Sequence, residues 1–214
     1  MTSLKVKVPP AKLRLSRAEQ KEQRSKDLLD AAEVKFREKG YEAVTIDDVA
    51  EYAGVSRMPV YSLFGDKQTL FFELWQRTVG DLSEALTHSA PAGQPLRRKL
   101  KALAETIAAS NRAVGADDPG MQLFFVVQTI ALSQPEIARK LRLISRKIVA
   151  DFTEYIRQAT LAEGEVLRGD AEMIAAHLIA HINGLSTVQF QTGKHYMKAR
   201  DLHEIFVSIA LRSA

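Results

Sequence analysis

Apolar residues recur at steps of three and four through most of this chain, and no stretch alternates residue by residue as a half-buried strand would. The first strong run is Leu28, Leu29, Ala32, Val34 and Phe36, and it stops at Lys39-Gly40, with Gly40 placed as a C-terminal cap. Ser16-Arg17-Ala18-Glu19 has the capping-box pattern and opens this first helix early. Thr45, with Asp48 three residues on, starts a short helix that reaches Tyr52-Ala53 and breaks at Gly54. Ser56 caps a second short helix through Phe64, and Gly65-Asp66 breaks again. From Asp66 a long helix runs to about His88, with Leu70, Phe71, Leu74, Trp75 and Leu82 as its expected buried face. Further helices are expected over 95–111, 121–132, from Ser133 through Tyr155, from Asp170 to about Gln191, and over 201–213, where Leu202, Ile205 and Ile209 share a face. The expected class is all-α, with about nine helices. The loops between them are Ser89–Pro95, Ala113–Gly120 and Ala162–Gly169.

The window Thr45 to Lys67 meets the requirements of a helix-turn-helix. Two short helices crossing steeply need a small residue at the crossing, and Ala50 supplies it. The turn needs positive φ, and Gly54 follows four residues later. Val55 can plug the turn into the core. Val60 and either Leu63 or Phe64 can be buried, which leaves Arg57, Met58, Pro59 and Ser62 facing outward, where a recognition helix meets base edges.

Composition narrows the remaining classes. Hydrophobic residues make up 46% and charged residues 26%, as in an ordinary soluble globular protein. The absence of cysteine excludes disulfides, thiolate catalysis and cysteine metal sites. No apolar core precedes a small-residue cleavage site near residue 1, and no run approaches the ~20 apolar residues needed to span a bilayer. A cytoplasmic protein without membrane attachment is expected. Net charge is only +4, but residues 1–26 hold eight Lys/Arg against Glu19 and Glu22. A basic arm on a near-neutral body fits a polyanionic partner, and equally a solvated tail. Three units are expected: a flexible basic arm over 1–20, a helix-turn-helix domain over 21–67, and a larger helical ligand-binding and dimerisation domain over 68–214.

The segment from Arg24 to about Arg77 resembles the DNA-binding domain of the TetR family of bacterial repressors. The matching residues are Ala31-Ala32, Phe36, Gly40, Tyr41, Thr45, the turn Ala53-Gly54-Val55-Ser56, and then Tyr61, Phe64 and Lys67. One departure is Met58-Pro59, where the family often has Gly-Thr or Pro-Thr. Pro59 falls in the first helical turn, where a missing N–H costs little, but the usual threonine hydroxyl is lost. Thymine methyl groups suit these two apolar side chains, and Arg57 suits guanine or a phosphate. Thr45 and Ser56 sit at helix N-termini, where hydroxyl and N–H groups point at an anion. Tyr61 can donate to a phosphate oxygen, and Lys67 places a charge at the next helix start. With Ser62 these are the expected DNA-binding residues.

The resemblance implies a sequence-specific regulator, by family default a repressor, bound as a homodimer to a palindromic site on double-stranded DNA and released by a small effector. The helices near 171–191 and 201–213 would form the dimer interface; Ala175, Ala176, Ala180 and Gly184 permit close approach. The middle helices would enclose a largely apolar effector pocket, with Trp75, Phe124, Phe125, Gln128, Phe152 and His177 as candidate lining. No cofactor is expected. Two rival readings remain open. One is a DNA-binding protein without an effector. The other is a helical enzyme using His177 and His181, whose i, i+4 spacing can hold a metal, although no Glu follows the first His as a zinc-protease motif requires.

Overall fold

A computed structural model describes residues 16–110 and 119–214. The helices in chain order are α1 (Arg17–Ala43), α2 (Ile46–Tyr52), α3 (Arg57–Phe64), α4 (Lys67–Thr87), α5 (Leu96–Ser110), α6 (Pro119–Ser133), α7 (Pro135–Arg157), α8 (Ala171–Thr192) and α9 (Ala199–Ala210). Strands β1 (Glu165–Leu167) and β2 (Leu211–Ser213) form one antiparallel pair. The class is all-α, as the periodicity indicates. The pair is a difference from that reading, which has a plain loop at 162–169 and a helix to Ser213. Val166 pairs with Arg212, and Arg168 N–H donates to Ala210 O, so the last helix is pulled out of its path three residues early.

Local chemistry sets the helix ends. Ser16 and Glu19 exchange a reciprocal capping box, so α1 opens at Arg17, inside the span expected for the arm; the arm through residue 15 lies outside the described residues. Gly40 takes φ 74°, ψ 166° and breaks the helical path of α1. Asp66 accepts the Thr69 N–H at 2.7 Å and starts α4. Leu82 is an exception to the expected α4 face: it is exposed, while Ser83 and Leu86 are buried. After Trp75 the inward stripe steps through Val79 to Ser83, which turns Leu82 about one residue, ~100°, away. On α9 the inward residues are Leu202, Phe206 and Ala210, with Ile205 and Ile209 half-buried beside them.

Among the described residues the apolar side chains gather into two cores. The first joins α1–α3 and the start of α4 to Leu123, Val127 and Ile130 of α6 and Ile137 of α7. The second joins Leu86 at the end of α4 to α5, the end of α7, α8 and α9. The core beneath the helix-turn-helix therefore continues past residue 67 into α6 and α7. Arg77 of α4 adds a polar tie, donating to Asp30 at 2.6 Å and Glu33 at 3.0 Å on α1. No helix among the described residues is long and apolar enough to cross a membrane.

Candidate DNA-binding interface

The geometry of α2, the turn and α3 follows from a few side chains. Thr45 Oγ1 accepts the Asp48 N–H, while Asp48 accepts both the Thr45 N–H at 2.8 Å and the Thr45 hydroxyl at 2.7 Å. Lys39 donates to the other Asp48 oxygen. These donors hold the Asp48 carboxyl well below the usual carboxylate range, the Lys39 ammonium contributing most. At the other end of α2, Val55 N–H donates to Ala50 O and Gly54 N–H to Glu51 O, with Gly54 at φ 68°. This paired closure needs a left-handed residue, which a side chain would strain. It turns the chain sharply into α3. Val49, Ala50 and Val60 are fully buried at the crossing, and Phe64 anchors the far end of α3.

What α3 buries on one side it exposes on the other. Arg57, Met58, Tyr61 and Ser62 form one outward face at i, i+1, i+4 and i+5, with Met58 67% and Tyr61 45% exposed. An exposed methionine and tyrosine on adjoining turns are what the side facing away from the core would ordinarily lack. Pro59 is the third residue of α3 and half-buried, so its missing N–H removes no intrahelical bond. A major groove admits one α-helix, and the side chains such a helix presents to it lie on its exposed side.

The expected phosphate ligands divide. Ser56 is the N-cap of α3, but its hydroxyl makes no capping bond and is exposed. The capping bond expected of it beside a phosphate contact is not made, which leaves the hydroxyl open to an external partner. The Thr45 hydroxyl, in contrast, donates to Asp48. Lys67 is half-buried, donating to Tyr41 O at 2.9 Å and Glu42 O at 3.2 Å, with Nζ 4.6 Å from the Tyr41 ring centroid. Two of its three donors thus tie α4 to the segment after Gly40. Tyr41 itself is half-buried against the first core, edge-on to Phe71 at 4.7 Å. The Lys67 tether spans 26 residues of sequence and has no local signal.

The six candidate effector-pocket residues do not share one core. Trp75 is buried in the first and Phe152 in the second. Phe124 and Phe125 are half-buried, and Phe125 packs on Phe190 of α8 at 5.4 Å. Gln128 is exposed, because α6 directs Leu123, Val127 and Ile130 inward and the next position turns out. His177 is exposed for the same reason on α8, where Ile174, Ala175 and Leu178 face in. His181 is turned the other way, its ring edge-on to Phe206. Among the described residues no cluster of three metal-ligating side chains brings these histidines together with a third ligand.

Residues 28–74 match the family described as bacterial regulatory proteins, tetR family. The chain is 27% identical over 160 residues to the HTH-type transcriptional activator FasR of Mycolicibacterium smegmatis, covering 75% of this chain and 69% of that protein. It is 31% identical over 91 residues to the transcriptional repressor BdcR of Escherichia coli, covering 41% of this chain and only 46% of BdcR. Among solved structures, a TetR-family regulator from Mesorhizobium loti superposes with TM-score 0.70 at 20% identity, over 92% of this chain and 99% of that one. A regulator from Saccharomonospora viridis, crystallised with choline, superposes with TM-score 0.67 at 19% identity, over 89% and 99%. At such identities the structures show a shared fold.

Proposed function

We propose that this chain, a TetR-family regulator of transcription, binds a palindromic operator as a homodimer and leaves it when a small effector binds, so that it acts as a repressor. The carrying observation is the α3 face. Arg57, Met58, Tyr61 and Ser62 point outward from a helix whose opposite side is locked by Val60 and Phe64. In this reading Arg57 and Met58 meet base edges, with Ser62 and the half-buried Pro59 at the border. Ser56, Tyr61 and the third Lys67 donor meet phosphates, and Thr45 offers its helix N-terminus more than its hydroxyl.

One such helix buries too little for tight specific binding, so two copies must present α3 about one helical turn (~34 Å) apart. The outward side of α8 supports pairing there. Met173 and Val188 are 44% and 42% exposed, and Ala176, Ala180 and Gly184 lie between them. Open space surrounds a Cβ built at Gly184, so a second helix can approach closely. An apolar stripe with small residues at its centre is suited to a helix of the same kind. The pairing surface is α8 with α9.

For the effector, Trp75, Phe124 and Phe125 remain the best placed of the six candidates, since α6 packs on α1, α4 and α8. A ligand parting α6 from α8 at Phe125 would move the same helix that supports Phe36 and Phe71 under the helix-turn-helix. It would change DNA affinity by its differential affinity for the two arrangements. The small-molecule complex of the Saccharomonospora viridis neighbour supports this class of ligand in the fold. Selection of bound fragments from a genomic library, followed by a screen for compounds that release the best fragment, tests the proposal. One inverted-repeat site and at least one releasing compound are expected; binding without sequence preference would overturn it.

A further inference from the structure

At the end of α4 farthest from the helix-turn-helix, an amine lies where the apolar pattern calls for a hydrocarbon. Lys99 of α5 sits between Leu96, Leu100 and Leu103 on the buried face and is only 1% exposed. Its Nζ stands 4.0 Å from the centroid of the Tyr155 ring. No carboxylate lies within ion-pair range of it among the described residues; Glu154, which favours its charged form, is engaged with Gln158. Burial lowers the Lys99 pKa. A ring face offsets only part of the cost of desolvating an ammonium, and a buried cation ordinarily has an anionic partner.

The surroundings are held in place. The Tyr155 hydroxyl donates to Lys99 O at 2.9 Å and lies 3.0 Å from Ser89 Oγ. Ser89 also lines an open groove of about 540 Å³ between the α4–α5 connection and α5. Gln94, Arg98 and Lys101 share that lining, with one acid, Glu105, which lies 3.9 Å from Lys101. Arg98 is exposed and has no ion-pair partner among the described residues. The groove thus carries two cations and one acid, and a further cation, Lys99, lies one residue round α5 on its buried face, linked to the groove through the Tyr155 ring and Ser89.

We propose that this groove is a second ligand site, selective for a small organic anion, a carboxylate or a phosphate monoester. The Lys99 stem swings its ammonium from the Tyr155 ring to the anion, the Arg98 fork closes on it from the rim, and Ser89 and Gln94 add neutral hydrogen bonds. A compact ammonium takes either anion, whereas a guanidinium favours two-point contact. The site is separate from the Trp75–Phe125 region and stands or falls without it.

The test measures thermal shifts and calorimetric binding on the full chain at low ionic strength. The probes are hexanoate and hexyl phosphate, with hexanol and hexylamine as controls. Either acid is expected to raise Tm saturably and the controls are not; which acid binds sets the class. Lys99→Met, an apolar residue of similar reach, is expected to keep or raise the unliganded Tm and to weaken binding at least tenfold. Arg98→Gln, at an exposed position, is expected to weaken it severalfold with Tm unchanged. Equal shifts from hexanol and hexanoate, no shift from either acid, unaltered binding in both variants, or a marked fall in unliganded Tm for Lys99→Met would each overturn the site.

Discussion

Replacing Lys67 with methionine keeps most of the side-chain stem and deletes the ammonium that joins α4 to the carbonyls of Tyr41 and Glu42. Hydrogen bonds to a charged group contribute ~1.5–3 kcal/mol each. Here both carbonyls are close enough to the surface to regain water, so the pair is worth ~2 kcal/mol in total. For a protein of this size each kcal/mol moves Tm by ~2–4 °C, so Lys67→Met should melt about 4–8 °C lower. The assay is thermal unfolding followed by circular dichroism at neutral pH. A Tm within about 1 °C of the parent would refute the tether, because two charge-assisted bonds cannot then be holding the start of α4. The same variant reads the proposed phosphate contact. Loss of one phosphate ligand makes the slope of log K against log salt shallower by about 1. An unchanged slope beside a lowered Tm would assign Lys67 to structure alone.

Three further outcomes are expected. Asp48 has its pKa depressed by Lys39 and Thr45, so its contribution is present at neutral pH and lost as pH falls below the ordinary carboxylate range. Asp48→Asn should therefore lower Tm at pH 7, with the gap to the parent closing in acid; a gap that widens in acid would contradict the assignment. Gly54→Ala meets no neighbouring atom but forces alanine to φ 68°, which costs ~1–2 kcal/mol. It should weaken DNA binding and lower Tm together, and a neutral result would show the turn relaxes freely. Tyr61→Phe should weaken binding to specific and random duplexes alike, by ~0.5–1.5 kcal/mol; unchanged affinity for both would remove the phenol from the interface.

The parts of the fold legible in the sequence are those fixed by neighbours within four or five residues. Thr45 with Asp48, Gly54 after Ala50, and Asp66 before Thr69 each carry their own geometry, so the helix-turn-helix could be placed residue by residue. Contacts made across the fold could not. Three-residue strands are too short to show alternation, and β1 finds β2 only because the chain end returns past Gly164. The Leu82 and Ser83 exchange on α4 turns on ~100° of helix phase, which an apolar count cannot resolve. The pocket candidates rest on residue type alone. Side-chain direction on α6 and α8 then sent Gln128 and His177 outward, and the division into two cores separated Trp75 from Phe152. Ser56 stands where a cap belongs, yet nothing in its sequence neighbourhood shows that its hydroxyl is left without a capping bond.

The claim that α3 lays its exposed side chains along base edges is tested most directly by selecting duplexes from a randomised pool with the parent protein and with Arg57→Ala in parallel. The parent should enrich an inverted repeat whose half-sites are centred about one helical turn (~34 Å) apart. The variant should recover the same repeat with preference relaxed at one matched position in each half. An identical preference in both proteins, or enrichment of no repeat at all, would contradict the account.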